Sequence, residues 1–469
     1  MSDSSKGTPF LRAEIPFRKE SFFGRADWAS FALATSIALA VYLYTLSPEV
    51  TLEWSGMHAT SAKYGGAGPP PGAPLWTIYA WVFIKILPIS NIAWRLAVAS
   101  AVAGAFTCGM VALVVCRGSL MLLERTKGFK RLMPGDESHV RLACGVVAGL
   151  GFGFNGQFWN LSLVVGPDAL GLLMISIVFC LLMRWAYRTR QTGYLYTAAL
   201  IYGLCLTVQI SLAALAPVLP FVALFLRPTV GRDLLAMTAS ALGLAVILFR
   251  LEWLPTIIQE AGQFSSLWQT YRNFAILYAF IALWLVIRSR HLFTNWRAAL
   301  VTSTLCVSGL SLYFYLPLAS MTNPPANWGY ARTVEGFYHV ISRGQFERLT
   351  PMNVLIEPGR YLEAIWYLSG ETVRAMGWVY LLPCIIPLFF LRRMLGRGRG
   401  WIMGLGVSFL SHSLLVLIML NPPPDRGAWS MAILYFLPSH MILTIWAGYG
   451  LVFLGSVIGR WRPFIARAP

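Results

Sequence analysis

The stretch WASFALATSIALAVYLYTLSP, from Trp28 to Pro48, contains no charged residue and follows five Lys and Arg residues. A helix of about 20 apolar residues is long enough to cross the roughly 30 Å hydrocarbon core of a bilayer. The run is too long for a signal-peptide core and lacks a clear cleavage motif, so it predicts a retained membrane helix. Across the 469 residues, 57% are hydrophobic and 12% are charged, against about 25% charged in soluble domains. The composition therefore predicts an all-α polytopic membrane protein.

Apolar segments of this kind recur along the whole chain. Twelve of them are candidate transmembrane helices, and most are long enough to span: 28–48, 91–116, 142–160, 167–187, 193–208, 211–227, 233–250, 273–288, 298–318, 376–391, 401–420 and 430–456. The two segments between 193 and 227 are the least regular, because Pro217 and Pro220 interrupt the second of them. We therefore predict about 12 transmembrane helices.

Positive charge alternates regularly between these segments. If the N-terminus is cytoplasmic, the connections on the cytoplasmic side hold 26 of the 37 Lys and Arg residues. This positive-inside pattern predicts a cytoplasmic basic N-tail at 1–27, a transmembrane domain at 28–456 and a cytoplasmic C-tail at 457–469, in a plasma (inner) membrane. The net charge of +18 is spread over small groups that form no single stripe, so the sequence predicts the lipid bilayer and no nucleic acid as a partner.

Two long connections, 49–90 and 319–375, face outward in this topology, and a shorter one, 251–272, is typical of an interfacial helix. Long structured loops among tight connections often carry function, so we expect the functional site on the outer side of the membrane.

The first outer loop contains VTLEWSGMHATSAKYGGAGPPPGAPLW, from Val50 to Trp76. The apolar run that follows, Leu75 to Leu87, has about 13 residues, which is too short to span, and prolines bracket it. Its residues Trp76, Tyr79, Trp81 and Lys85 predict a helix at the level of the lipid headgroups. This helix would hold the carboxylate of Glu53 near the outer membrane interface.

The loop resembles that of GT-C membrane glycosyltransferases, in which a carboxylate in the first outer loop acts on a lipid-phosphate sugar donor. It is more similar still to a bacterial membrane family of unknown function that is related to the eukaryotic plexin-domain transmembrane O-mannosyltransferase. The matching positions here are Leu46, Pro48, Val50, Thr51, Ser55, Gly56, Pro70, Pro71, Gly72, Pro74 and Leu75. Further similar blocks are SNIAWRLAVASAVAGA from Ser90, NPPANWGYARTVEGFYHVISRGQFERL from Asn323, and NPPPDRGAWSMAILYFLPSHMILTIWAGYGL from Asn421.

The chain also departs from the family pattern at polar positions. Trp54 stands in place of the family Asp, Met57 in place of its Glu, and Pro69 in place of its His. A Glu-Val-Tyr of the relatives is replaced by the segment 166–168. Glu53, one residue before the missing Asp, is the nearby carboxylate that is left to act as the catalytic base, although a solvated loop acid or a helix cap is the alternative interpretation.

The resemblance implies a polyprenyl-phosphate sugar as donor substrate and no certain cofactor. Arg332 and Arg343 are candidates to bind the donor phosphate, with His339 nearby, and Trp328 and Tyr330 are candidates to stack on a sugar ring. Alternatively, the two arginines pair with loop carboxylates and the two aromatic residues serve as packing or interface anchors.

Secondary candidates for the site are His58, Asp168 and His440. His58 belongs either to the site or to the surface, and Asp168 is either a site acid or a carboxylate favoured by the positive end of a helix dipole. His412 and His440 are interpreted mainly as groups that make interhelical hydrogen bonds. No Cys/His or HExxH pattern is present, so the sequence predicts no metal site.

Three functions follow as hypotheses. The first is a glycosyltransferase that moves a hexose, mannose by resemblance, from a polyprenyl phosphate to an outer-face acceptor such as a protein Ser or Thr. The second is a catalytically silent relative that acts as a subunit or scaffold of a membrane complex. The third is a transporter of a lipid-linked substrate, which the absence of a visible inverted repeat disfavours.

Overall fold

A computed structural model describes residues 22–52, 54–251, 264–291, 293–344, 346 and 350–465. Within these ranges the regular secondary structure is helical, and the β-pairing consists of two isolated bridges, Ala67 with Asn327 and Thr126 with Met394. The predicted all-α architecture is therefore confirmed.

The described residues form twenty α-helices: α1 Arg25–Thr45, α2 Ser55–Tyr64, α3 Pro74–Ile86, α4 Ile92–Glu124, α5 Pro134–Gly153, α6 Gly156–Leu163, α7 Asp168–Tyr187, α8 Gly193–Leu206, α9 Val218–Leu226, α10 Pro228–Arg250, α11 Phe264–Ser289, α12 Trp296–Leu310, α13 Tyr315–Met321, α14 Val334–Ile341, α15 Pro358–Met376, α16 Trp378–Leu381, α17 Ile386–Phe389, α18 Gly396–Leu420, α19 Arg426–Ala432 and α20 Leu437–Ile465. Short 3₁₀ turns lie at Ile210–Leu215, Ser311–Phe314, Trp328–Tyr330, Leu382–Ile385 and Ile433–Phe436.

Local sequence explains where several of these helices begin. The side chain of Asn91 accepts a hydrogen bond from the amide of Trp94 at the start of α4, and Thr333 does the same for Gly336 at α14. Proline occupies the first helical position of α3, α5 and α15, where its missing N–H costs nothing.

Eight helices in the described part of the chain are long and apolar enough to cross a membrane, or nine if the bent pair α15 and α16–α17 forms one span. Every one of the twelve predicted segments overlaps a helix, but the count of twelve is not confirmed. The helix α8 has 14 residues, or about 21 Å at 1.5 Å per residue, which is shorter than the bilayer core. The first turn of α5 carries the charged residues Asp136 and Glu137, so a membrane-spanning part of α5 would begin after them.

The main hydrophobic core joins α4 to α1, α5, α7, α18 and α20. In the most apolar part of α4, 83% of the residues are buried, whereas the figure for α11 is 11%. Helix α4 therefore lies at the centre of the protein and α11 at its edge. Small residues permit this close packing, since a Cβ on Gly104 would lie 2.3 Å from Oγ of Ser162.

Two helices extend beyond the apolar segments that were predicted as spans. Helix α1 begins at Arg25, within the predicted N-tail, and α20 continues to Ile465, past the predicted end of the domain at 456. The predicted interfacial helix at 251–272 lies mostly outside the described residues, and α11 begins at Phe264.

The predicted non-spanning helix after the first loop is present as α3, with 13 residues. One face of α3 is exposed, and the other packs against the protein. Trp81 is 44% exposed and lies beneath Nζ of Lys85 at 5.4 Å, whereas Trp76 is fully buried and Tyr79 donates to the carbonyl of Ala99 at 2.9 Å. Trp76 and Tyr79 therefore attach α3 to the protein core.

Candidate functional site

Two segments far apart in the sequence meet at one place in the fold. The residues after α2 pair with the residues before α14 through a parallel bridge between Ala67 and Asn327, and the amide of Trp328 donates to the carbonyl of Ala67 at 3.4 Å. A Cβ on Gly66 would lie 2.2 Å from the carbonyl oxygen of Ala326, so only glycine allows this approach. We call these paired segments, residues 54–72, 322–344 and 346, the loop junction.

An apolar cluster packs against the loop junction. Ala67, Tyr313, Leu316, Ala331 and Val340 are buried against one another. The cluster connects the end of the span at Trp296–Met321 to both segments, so the junction is fixed to the transmembrane part of the protein.

Trp54 joins the two segments at the other end of α2. Its ring lies edge-to-face against Trp328, with centroids 5.9 Å apart, and against Phe346, with centroids 6.1 Å apart. Such pairs contribute about 0.5–1.5 kcal/mol beyond the area that they bury. The position where the family resemblance predicts an Asp is thus an aromatic contact within the junction.

Arg343 lies at the same junction. Its guanidinium carbon is 4.7 Å from the ring centroid of Phe346, and its Nε is buried without a hydrogen-bond partner among the described residues. Its backbone is left-handed, with φ of 55°, a conformation that costs a non-glycine residue about 1–2 kcal/mol. A strained, half-buried arginine with an unused donor suits the binding of an anion.

Arg332 and Tyr330 form an exposed pair on the same segment. The guanidinium of Arg332 donates to Oδ1 of Asn323 at 2.7 Å and lies 5.7 Å from the ring centroid of Tyr330. Tyr330 is 61% exposed, so its ring is accessible to a ligand.

His339 is exposed on the last turn of α14 and lies between two glycines. A Cβ on Gly344 would be 2.4 Å from its Nδ1, and a Cβ on Gly329 would be 3.6 Å from its Cδ2. Five predicted site residues therefore lie on the second segment of the loop junction: Trp328, Tyr330, Arg332, His339 and Arg343.

His58 is buried, which excludes the alternative that it is a surface residue. Its ring lies edge-to-face against Trp76 with centroids 5.1 Å apart, and its Nδ1 has no partner among the described residues. Burial lowers the pKa of His58 to about 4, which keeps the imidazole neutral near pH 7.

Asp168 is half-buried in the first turn of α7, and its Oδ1 accepts a hydrogen bond from Nε2 of Gln209 at 3.1 Å. Its helix neighbour Ala169 belongs to the same buried cluster as Trp76, which packs on His58. His58 and Asp168 thus border one cluster that lies beside the junction segment 54–72.

His412 and His440 lie in the last two long helices. His412 Nδ1 is 2.9 Å from Oγ of Ser439, and His440 Nε2 is 3.4 Å from Oγ1 of Thr372 on α15. Both therefore form hydrogen bonds between helices, and no described contact connects them to the loop junction.

Glu53, the predicted catalytic base, lies outside the described residues. Sequence reasoning missed Phe346 and Asn323, which contact the two arginines. Both residues lie within the family-similar block that begins at Asn323, but neither is charged, so only their contacts with the arginines single them out. Among the described residues, no group of three or more His, Cys, Asp or Glu side chains is placed to hold a metal ion.

Comparison with known proteins gives a match to one family over part of the chain. Residues 55–231, which include α2 and all of the first junction segment except Trp54, match the model of the protein O-mannosyl-transferase TMEM260 N-terminal domain. The predicted family resemblance is confirmed over this segment. A curated relative, protein O-mannosyl-transferase TMEM260 of Mus musculus, is 26% identical over 171 residues, which is 35% of this chain. The matched part is 22% of that relative, so the chain spans about a fifth of its length.

A solved structure, ArnT from Cupriavidus metallidurans bound to undecaprenyl phosphate, aligns with 95% of this chain and 81% of its own. The sequence identity is 10% and the TM-score is 0.30, a value that does not by itself establish a common fold.

Proposed function

We propose that this chain is an integral membrane glycosyltransferase of the GT-C type. It moves a hexose, mannose by resemblance, from a polyprenyl phosphate to a hydroxyl on the outer face of the membrane, such as that of a protein Ser or Thr. The observation that carries this proposal is the match of residues 55–231 to an O-mannosyl-transferase domain. The positive-inside pattern supports an inner-membrane location with both termini in the cytoplasm.

In this reaction the acceptor oxygen bonds to the anomeric carbon of the sugar. The bond from that carbon to the phosphate oxygen breaks, and the polyprenyl phosphate leaves with the electron pair. A base must take the proton of the acceptor hydroxyl, and we assign this role to Glu53. Glu53 is bonded to Trp54, whose ring packs on Trp328 and Phe346 in the loop junction.

We assign the leaving phosphate to Arg343 and Arg332. A guanidinium presents a planar set of N–H donors that matches two phosphate oxygens. The unpartnered Nε of Arg343 supports this role, and the accessible ring of Tyr330 supports stacking on a sugar. The ring of Trp328 packs against Trp54. We therefore assign Trp328 two roles, to stabilise the loop junction and to contact the donor sugar.

A second candidate function is a catalytically silent scaffold in a membrane complex. Trp54 favours it, because the position of the expected family Asp is filled by a residue that packs and cannot titrate. On this alternative, the loop junction keeps its structure and has lost its chemistry.

A transfer assay separates the two. The purified protein is given a labelled polyprenyl-phosphate mannose and a Ser/Thr-rich acceptor peptide, and product is counted for wild type, Glu53→Gln and Glu49→Gln. We expect Glu53→Gln to lower the rate by about 10²–10⁴-fold, because it removes the base, and Glu49→Gln to retain it. Glu49 is an exposed carboxylate four residues earlier in the same loop, so it controls for lost loop charge.

Arg343→Gln provides a second measurement, with Arg360→Gln as its control because Arg360 is exposed and pairs with Glu357 at 3.4 Å. We expect Arg343→Gln to weaken donor binding and Arg360→Gln to leave it unchanged. Equal rates for wild type and Glu53→Gln would remove Glu53 as the base. Transfer by none of the proteins with any polyprenyl-phosphate sugar would favour the scaffold.

A further inference from the structure

A basic cavity lies away from the loop junction, where the ends of α8, α9 and α12 meet. Its volume is about 500 Å³, and its lining includes Thr192, Tyr196, Arg227, Asn295, Trp296 and Arg297. In the charge-based topology, this is the cytoplasmic side, opposite to the proposed transfer site.

Both arginines of the cavity lack a carboxylate partner among the described residues. Arg227 donates to the carbonyl of Thr189 at 3.4 Å and to Oδ1 of Asn295 at 3.2 Å, which are both neutral acceptors. Arg297 is exposed and lies 5.6 Å from the ring centroid of Trp296. A guanidinium has five N–H donors, so each retains donors for a ligand.

The neighbouring Arg232, by contrast, has a carboxylate partner and several hydrogen-bond acceptors. It is 2% exposed, donates to Asp233 at 2.7 Å and to Ser289 at 2.8 Å, and also reaches Thr294 at 3.0 Å. The other oxygen of Asp233 accepts from the amide of Asn295 at 2.6 Å. Both oxygens of Asp233 thus have other partners, so Asp233 does not neutralise the positive charge of Arg227 and Arg297 in the cavity.

Two helix N-termini add to this field. Helices α8 and α12 begin at the cavity, and neither of their N-cap residues, Thr192 and Asn295, bonds to its own helix through its side chain. The amide N–H groups of the first turn and the helix dipole both favour an anion there. Trp296, which is 48% exposed, and Tyr196 supply aromatic surface of the kind found at membrane interfaces.

We propose that this cavity binds the phosphate of an anionic phospholipid headgroup from the adjacent leaflet. A pocket between apolar helices with two arginines that lack a carboxylate partner, hydroxyl groups and aromatic rings fits a phosphodiester whose acyl chains remain in the bilayer. The bound lipid would tie α12 to α8 and α9. This inference does not depend on the transferase proposal.

The test measures the thermal stability of the delipidated, detergent-purified protein after adding phosphatidylglycerol, phosphatidylcholine with the same acyl chains, or inorganic phosphate. We expect phosphatidylglycerol to raise the apparent Tm of wild type by several degrees more than phosphatidylcholine. Arg297→Gln should weaken the apparent affinity by about five- to tenfold, and Arg227→Gln with Arg297→Gln should abolish the difference between lipids.

Arg288→Gln is the matched control, since Arg288 is also exposed and lies 5.7 Å from the ring centroid of Trp284 but does not line the cavity. It should behave as wild type. If Arg288→Gln weakens the response as much as Arg297→Gln, the effect is general surface charge and the proposal fails. If inorganic phosphate alone reproduces the stabilisation, the lipid is overturned as the occupant. Because Arg297 is exposed, we expect Arg297→Gln to fold, so the test does not depend on the double variant.

Discussion

His58 shows at the residue scale how burial changes the chemistry of a side chain. The sequence left it open to either the site or the surface, and the structure encloses it against Trp76. Its low pKa, about 4, means that the folded protein resists protonation of this imidazole. His58 therefore serves the junction as a neutral group and cannot carry a positive charge to a donor phosphate near pH 7.

This burial predicts a pH dependence of stability. Between about pH 6.5 and 4 the unfolded chain binds a proton on His58 and the folded chain does not, so stability falls as the pH falls through that window. Over the whole window the free energy of unfolding falls by about 3 kcal/mol, because each unit of pKa difference corresponds to about 1.4 kcal/mol. We expect the apparent Tm of wild type to decrease from pH 7.5 to pH 5.0 by more than that of His58→Phe.

His339→Phe is the control, because His339 is exposed, and it should keep the pH difference of wild type. The comparison uses the change between two pH values, so a uniform loss of stability in a variant cancels. The interpretation is wrong if His58→Phe and wild type lose the same stability on acidification.

At the element scale, α15 has apolar side chains on two faces. Ala364 and Leu368 pack on the ends of α18 and α19, where Tyr367 also stacks on Trp429 with centroids 5.8 Å apart. Residues Leu362 and Trp366, one helical turn apart, are 65% and 79% exposed. After Gly377, whose φ of 79° favours glycine, the chain turns by 101° into α16 and α17.

An exposed apolar face on a helix that bends into a membrane segment predicts contact with lipid. A spin label at Trp366→Cys, in a variant without the seven native cysteines, should collide more with oxygen than with a water-soluble nickel complex. A label at Arg360→Cys, on the same helix, should show the opposite preference. If the label at 366 prefers the nickel complex, this face is in water and is open to a protein partner.

At the scale of the whole molecule, the positive-inside pattern predicts that the loop junction and the basic cavity lie on opposite sides of the membrane. In intact spheroplasts, a membrane-impermeant maleimide should label Lys63→Cys and should not label Lys127→Cys until the membrane is opened. Both residues are exposed, so access to reagent depends on the side of the membrane. The reverse labelling would place the loop junction in the cytoplasm and contradict the proposed donor face.

Prediction from sequence worked where the property is local. Helix α3 was expected from its length and its flanking prolines, and it is present with nearly the same bounds. The number of spans was not confirmed, because α8 has only 14 residues and α9 only 9, and because the predicted span 142–160 is divided between α5 and α6. In the candidate site, the sequence predicted residues of the second loop as site candidates, but it did not predict which residue each of them contacts.

The sequence by itself determined the helical class, the membrane environment, the charge pattern and the family frame of the first loop, because these depend on composition and on short-range spacing. Tertiary structure decided that Ala67 and Asn327, 260 positions apart, form one junction, that Trp54 fills the place of an expected acid by packing on Trp328, and that His58 is buried. It also decided that two unremarkable arginines, 227 and 297, face one cavity. Contacts of this kind come from packing between distant helices, and no local pattern in the chain encodes them.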